Sequence, residues 1–572
     1  MNVYSVVQYV LFVVIVTVCV KPLGGYMHRV FSGQRSALDR LCRPLERSIY
    51  RFAGINPAQE MTAAQYTKAF IVFSFICTLL LYIILRLQQH LPWFYPAYQT
   101  TPLSPDLSLN TAISFSTTTT WQAYAGENTM SYFSQMVGLC VQNFLAGAAG
   151  LAVGIAFIRG LSRESSATLG NFWVDLTRSL LWILLPGSLI GASLLVWQGV
   201  PMNFHSYAIA TTLEGQRQVI PQGPVAALEI IKNLGTNGGG FFNANGAHPY
   251  ENPTPLSNFL ELLSIILIPA ALTNTFGRMV QHLRQGWMLY WVMLVLFCGG
   301  MVAMHFAELR VNPLIHGVDF RQSQMQSGGN MEGKEVRFGI GGTALAGIVT
   351  SNTSTGSANA ADDSFTSLGG LVLLTNLLLG EVVFGGLGLG LAGLIMTAVI
   401  AVFLAGLMIG RTPEYLGKKI GPSENKMIVL YALTGPATIL VLTAIALMTR
   451  AGLAGLTTNG GAHGLTEVVF AFASSFGNNG QAFAGLNANT FFYNITTTIA
   501  MMAGRFGLAV PALCFAGLAA QQKNTPPTRG TLRTDSLTFG ALLTAFLLIV
   551  TALSYLPVLT LGPVLEHLQF RI

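Results

Sequence analysis

Charge is what this sequence has least of. Of its 572 residues only 9% are Asp, Glu, Lys or Arg, against about 25% in a soluble domain. That is too little to cover a water-soluble body of this length, and no polar linker divides the chain into the roughly four domains its length alone suggests. Metal-ligand spacing is missing too. The six cysteines (Cys19, Cys42, Cys77, Cys140, Cys298 and Cys514) form no CxxC pair and lie mostly within apolar runs, where they read as small packing residues. There is no GxxxxGK[ST] phosphate loop, no DKTG phosphorylation sequence and no nucleotide-binding glycine fingerprint. HPYEN offers one His and one Glu without the i, i+4 His pair of a zinc protease. The residues therefore give no support to a catalytic or energy-converting centre in this chain.

What is present is apolar: 52% hydrophobic residues and a mean hydropathy of +0.55, the composition of an integral membrane protein. A helix crossing a hydrocarbon core of ~30 Å needs about 20 apolar residues. The candidate spans are 6–20, 64–85, 133–158, 180–197, 259–275, 289–306, 371–409, 427–448, 490–518 and 539–559. The first has no Lys or Arg before it, no small-residue cleavage site, and Lys21 directly after it; it reads as a retained span with its N-terminus outside.

The net charge of +7 is read as topology before it is read as a partner. Alternating from that start, the inward connections collect Lys21, Arg29, Arg35, Arg40, Arg43, Arg47 and Arg51, then Arg159, Arg163 and Arg178. Arg278 and Arg284 follow, then Arg411, Lys418, Lys419 and Lys426, and last Lys523, Arg529 and Arg533. Together these are 19 of the 30 basic residues, whereas 87–132 on the other side holds none. The excess of Lys and Arg fixes the inward side.

Four outward connections, 87–132, 198–258, 307–370 and 449–489, are long. Each carries a mildly apolar stretch too short to span and then a run rich in Thr, Asn, Ser and Gly: NTAISFSTTTTWQAYAGE, EIIKNLGTNGGGFFNANGAHPYENPT, GIVTSNTSTGSANAADDSFTSLGG and FASSFGNNGQAFAGLNANT. With Thr119, Gly238, Gly356 and Gly480 taken as equivalent, the runs recur at 119, 118 and 124 residues, one span–loop–span unit used four times. Non-helical backbone at membrane depth must be buried or face water, which four units satisfy by pointing their loops at a shared centre. There, carbonyl oxygens can replace the water shell of a cation. The runs hold no carboxylate at the narrow point, and neutral oxygens suit a monovalent ion better than Ca²⁺.

At these residues the chain resembles the KdpA family, the potassium-binding, pore-forming subunits of Kdp-type bacterial potassium-transporting ATPases. LGTNGGGFFNANGAHPYENPT, SNTSTGSANA, GEVVFGG, IGRTPEYLGKKI and SFGNNGQAFAGL carry the resemblance, which covers essentially the whole chain. It implies an all-α integral membrane protein of the superfamily of K⁺ transporters. About ten spans would form four pseudo-symmetric membrane–pore–membrane repeats at 64–158, 180–275, 289–409 and 427–518. A helix and basic loop at 1–63 and a last helix at 537–572 would flank them. Position by position it implies a K⁺ selectivity filter of Thr118 and Thr119; Thr236, Asn237 and Gly238; Ser354, Thr355 and Gly356; and Asn478, Asn479 and Gly480. The first loop departs from the family's TNTNW, with TTTTW placing Thr118 and Thr120 at the Asn positions. Gln122 matches a position close to the ion, either bracing the filter or touching the ion.

Other residues carry two readings each. Glu127, Glu251, Asp362 and Asp363 follow the filter runs, either drawing cations to the entrance or lying solvated or salt-bridged in loops. The 371–409 run overshoots the membrane if straight. Its GGLGLGLAGL stretch, with Gly385, Gly386, Gly388 and Gly390, is either a break forming a movable gate or a close-packing surface. Arg505, inside an apolar run, is either an electrostatic plug or tunnel-mouth residue below the filter, or a structural pair. The segment 410–426 is either a docking surface or a solvated basic loop. The resemblance further implies a noncatalytic subunit of a translocase in the bacterial inner membrane. K⁺ would be its transported ion, KdpB would hydrolyse ATP with Mg²⁺, and KdpC and the small KdpF would complete the complex; nothing points to nucleic acid. The fourfold repeat by itself fits a stand-alone K⁺ channel or ion-coupled transporter of the same superfamily equally well.

Overall fold

The computed structural model describes residues 3–91, 101–312, 315, 317–323, 328–408, 410, 413–526 and 532–569. Arg411 and Arg529 lie outside the described residues, as does part of the 410–426 segment. Ten described helices are long and apolar enough to cross a membrane, from Val3–Phe31 to Leu537–Gln569.

The eight inner members of that series alternate with four short helices that do not span. The first unit is Ala63–His90, the half-helix Pro105–Ser116, and Ser134–Ser162; the second is Phe172–Trp197, Val225–Leu234 and Pro255–Met279. The third is Leu283–Glu308, Gly339–Asn352 and Leu389–Met408, and the fourth Pro422–Met448, Gly461–Phe476 and Phe491–Gln521. Local chemistry sets their starts. Ser104 accepts from the Leu107 N–H with Pro105 at the first helical position. Thr62 and Gln65 form a reciprocal capping box, and Thr254 and Ser257 do the same ahead of Pro255–Met279. Each device satisfies amide groups that a helix start leaves open.

Burial sorts the spans into two rings. In the first span of each unit 28%, 33%, 50% and 28% of the most apolar stretch is buried; in the second span the shares are 83%, 72%, 56% and 61%. The second spans therefore line the centre and the first spans face outward, as do Val3–Phe31 at 22% and Leu537–Gln569 at 28%. The half-helices are enclosed by both rings, and Gly339–Asn352 is buried from Ile340 onward.

The 371–409 run is two helices. Ser367–Leu378 ends, residues 379–388 run without helix, and Leu389–Met408 resumes. The break starts six residues ahead of the glycine stretch singled out in the sequence and takes in Gly385, Gly386 and Gly388, while Gly390 lies in the resumed helix. Segments predicted to share the inward side do meet on one face. Lys418 Nζ donates to the carbonyls of Arg163 (2.6 Å) and Gln522 (3.0 Å), Arg163 pairs with Glu60 at 2.6 Å, and Met61–Thr62 forms a short antiparallel pair with Thr168–Gly170. On the opposite side, Ala208–Thr211 and Arg217–Ile220 make a hairpin.

Candidate functional site

Each half-helix ends in the same turn. The residue after its last turn adopts left-handed backbone in all four: Thr118 (φ 67°), Thr236 (49°), Ser354 (51°) and Asn478 (48°). The next N–H reaches back five residues, Thr119 to the Ser114 carbonyl at 3.0 Å, Asn237 to Lys232 at 2.8 Å, Thr355 to Thr350 at 3.1 Å and Asn479 to Ser474 at 2.9 Å. This is a Schellman closure, usually built on glycine. Here a polar side chain takes the position each time, twice a β-branched Thr, at a conformational cost of about 1–3 kcal/mol per residue. Surrounding bonds hold those side chains. Thr236 Oγ1 donates to the Gly235 carbonyl (2.8 Å) and accepts from the Leu387 N–H (2.9 Å). Asn478 Nδ2 donates to Thr119 Oγ1 (2.9 Å) and the Met501 carbonyl (3.0 Å).

These positions recur at 118, 118 and 124 residues, so Thr120, not Thr119, is the counterpart of Gly238, Gly356 and Gly480. Thr120 itself has φ 50°, beside 82° at Gly238 and 94° at Gly480. The one-residue shift corrects the repeat register drawn from the glycines.

The four turns close on one another. Thr120 Oγ1 donates to the Asn237 carbonyl, joining loops one and two. Gly238 bridges Gly356 in parallel, and a Cβ on Gly238 would stand 2.1 Å from the Gly356 nitrogen. A Cβ on Gly356 would meet the Asn479 carbonyl oxygen at 2.5 Å, and one on Gly480 would meet that of Thr119 at 2.1 Å. Loop two thus touches three, three touches four, and four touches one. The residues named from the resemblance in these loops all stand in this ring, and all but the half-buried Gly480 are buried. Asn479 Nδ2 reaches across to the Thr350 carbonyl at 2.9 Å. Four helix C-termini, each carrying roughly half a negative charge, lead into a ring whose own side chains are uncharged.

A cavity lies on either side. The outer one, about 640 Å³, is lined by Trp121, Gln122, Asn245, Asp362, Gly480 and Gln481 among others. The inner one, about 10 Å³, lies among Thr118, Ser354, Asn478, Glu381, Gly386 and Arg505, room for about one water. Gln122 spans loops one and two: its Oε1 accepts from the Gly240 N–H (2.8 Å) and its Nε2 donates to the Gly240 carbonyl (3.1 Å) and to Tyr124 (2.9 Å). Arg505 is 2% exposed, donating to Thr118 Oγ1 (3.1 Å) and the Ala146 carbonyl (2.9 Å), so it lines the cavity and binds a carbonyl at once. The 379–388 segment passes directly beneath the ring. Gly388 is pressed against the Gly150 carbonyl, 2.3 Å from where its Cβ would stand.

The four acids differ in place. Glu127 accepts from the Asn243 N–H at 2.9 Å. Glu251 is fully buried and takes the Phe241 and Phe242 N–H groups at 2.6 and 3.0 Å, so it props loop two and is no entrance charge. Asp362 accepts from Gln481 at 3.0 Å, and burial pushes its carboxyl up to about 8. Asp363 pairs with His463 at 3.0 Å. Sequence reasoning missed Glu381, although GEVVFGG contains it, and the buried pair of Glu229 and Lys232 at 2.8 Å. Ionisable residues inside apolar surroundings were the available signal. No group of three or more His, Cys, Asp or Glu placed to hold a metal ion occurs among the described residues.

Ten apolar helices and four half-helices whose turns close into one ring define a multi-pass membrane protein of the potassium-transporter fold. The structure is similar to that of the potassium transporter TrkH from Vibrio parahaemolyticus, at a TM-score of 0.51 with 12% identity over 89% of this chain and 97% of that one. The family model for the potassium-transporting ATPase A subunit, KdpA, matches residues 10–568, and the chain belongs to that family. It is 51% identical to the potassium-transporting ATPase potassium-binding subunit of Methylobacterium nodulans, over 98% of this chain and 97% of that one. To the protein of the same name from Koribacter versatilis it is 49% identical, over 99% and 98%.

Proposed function

We propose that the ring of Thr118–Thr120, Thr236–Gly238, Ser354–Gly356 and Asn478–Gly480 is the K⁺ selectivity filter of an ATP-driven uptake pump, and that this chain is its noncatalytic, potassium-binding subunit. The observation that carries the reading is the closed contact path through all four loops. Extended turns drawn together at glycine distance leave peptide oxygens as the groups available to a bare cation. Converging helix C-termini supply negative potential without a formal charge that would favour a divalent ion. The large cavity is the mouth, from which K⁺ sheds water as it enters the ring. The small cavity beneath holds at most one water-sized particle. The 379–388 segment closes it below as the gate, and the guanidinium of Arg505 discourages straight passage, which favours lateral exit toward a partner.

ATP and Mg²⁺ belong to that partner, the KdpB-type subunit, with KdpC- and KdpF-type chains completing the complex. The excess of inward Lys and Arg supports a cytoplasmic-membrane location with the N-terminus outside. The test is potassium-dependent ATPase activity of the co-purified complex with Gly238→Asp. A carboxylate forced against Gly356 is expected to raise the half-activating K⁺ concentration at least tenfold. An unchanged dependence removes Gly238 from the filter.

A further inference from the structure

The main-chain hold is common to all four turns, but the side chain at the position that supplies it differs: in the third unit the Thr350 hydroxyl has no hydrogen-bond partner, and in the second the side chain is charged. Counting back from each left-handed residue, the carbonyl that accepts the five-residue bond belongs to Ser114, Lys232, Thr350 and Ser474. In the first unit Ser114 holds its loop twice. Its carbonyl takes the Thr119 and Thr120 N–H groups, and its hydroxyl donates to the Trp121 carbonyl at 3.0 Å. In the fourth, Ser474 does so through the Gly480 N–H, which donates to its hydroxyl at 3.0 Å.

The second unit keeps the double hold and changes its chemistry. The Lys232 carbonyl takes Asn237 and Gly238 N–H groups, and its ammonium donates to the Gly239 carbonyl at 2.6 Å. Gly239 stands 118 residues after Trp121, the same offset as the turns themselves. Lys232 is wholly buried, as is its partner Glu229 at 2.8 Å, and the carboxyls of Glu251 and Glu261 also act on the ammonium. A lysine is almost never found fully buried unless paired. This one is paired with an acid on one side and with the backbone of the ring on the other.

We propose that Lys232 is a specificity-determining positioning residue for the ion. Its ammonium fixes the Gly239 carbonyl at the outer end of the second loop, the task that a serine hydroxyl performs for the Trp121 carbonyl. A charge-assisted bond is stronger than a neutral one; further along the same loop Gln122 holds the Gly240 N–H and Glu251 those of Phe241 and Phe242. The second loop, with three successive glycines at 238–240, is the one whose backbone is least restrained by its own residues. The lysine clamp supplies what those glycines lack. Because Gly239 O is engaged from behind, it is withdrawn from the ion, and the ring's outer end is asymmetric.

This inference rests on the reading of the loops as a filter. Its test uses the assembled complex and compares Glu229→Gln, Glu229→Gln/Lys232→Met and Glu229→Gln/Lys232→Ser, so that the carboxylate in direct contact with the ammonium is neutralised together with it. Half-activating concentrations for K⁺ and Rb⁺ and the maximal ATPase rate are measured for each. With methionine, half-activation by K⁺ is expected to rise at least tenfold and the Rb⁺-to-K⁺ ratio to fall toward one, the maximal rate staying within threefold. With serine, a hydroxyl clamp like that of Ser114 on the Trp121 carbonyl is expected to restore the ratio to within threefold of wild type. Should the methionine double variant not assemble, Glu229→Gln/Lys232→Leu is read the same way. The proposal is overturned by an unchanged ratio with methionine, by loss of maximal rate at unchanged ratio, or by a serine variant no better than methionine. Gly238→Asp runs in parallel. If it shifts the K⁺ dependence while the lysine series does not, only this inference fails; if both are silent, the filter reading fails with it.

Discussion

Gly480 lies against the carbonyl of Thr119, so close that a Cβ would stand 2.1 Å from that oxygen. The fourth loop is thereby closed onto the first, and the ring has no gap.

That contact makes Gly480→Ala a severe change for one methyl group. The methyl cannot fit, and φ of 94° is strained for any L-residue. Half-activation of the ATPase by K⁺ is expected to rise at least tenfold. Gly299→Ala, where nothing lies within 4 Å and a helix interior gains about 1 kcal/mol from alanine, is expected to leave K⁺ dependence unchanged. Equal behaviour of the two variants contradicts the close approach.

Arg505 and Glu381 line the same small cavity. Arg505→Gln removes the bonds to Thr118 Oγ1 and the Ala146 carbonyl, a loss of about 3 kcal/mol for two bonds from a charged donor, read as a lowered thermal midpoint. In proteoliposomes without ATP, Arg505→Gln is expected to admit ⁸⁶Rb⁺ faster than wild type; equal leak rates argue against a barrier role.

His463 joins the start of the fourth half-helix to Asp363 and Glu566, each at 3.0 Å. Burial works against its charge, but the bonds to the two acids prevail and raise it to about 10. Its stabilisation is therefore complete below its unfolded value of about 6.5 and is lost as pH rises through about 10. His463→Gln is expected to lower the thermal midpoint at pH 6 and to converge with wild type above pH 10. A constant difference across that window rules out the linkage.

Asp362 lines the larger cavity, and burial holds it protonated below about pH 8. Asp362→Asn is expected to keep half-activation by K⁺ within twofold at pH 7. A large rise there would mean that the carboxylate is ionised and attracts the ion.

Much of this was legible in the residues, for physical reasons that also mark where legibility stopped. Apolar run length set the number of spans, because hydrocarbon thickness leaves little latitude. The recurrence of polar runs located the ring. The register slipped by one in the first loop because glycines were the markers and that loop has none at its turn, where TTTTW stands. Thr120 adopts positive φ without being glycine, which composition does not announce. Nor does hydropathy tell an inner span from an outer one; Ser134–Ser162 and Pro422–Met448 are similarly apolar and differ only in what surrounds them. The placement of Glu381 under the ring depends on residues 379–388 passing beneath loops from other units, and Lys232 reads as an ordinary helix residue until Gly239 is seen beside it.

The most direct measurement is anomalous diffraction from crystals of the complex grown in Tl⁺ or Rb⁺. The account predicts heavy-ion density on the axis enclosed by Thr118–Thr120, Thr236–Gly238, Ser354–Gly356 and Asn478–Gly480, within coordinating distance of main-chain oxygens from all four. Density elsewhere, with none inside that ring at saturating ion, would contradict it.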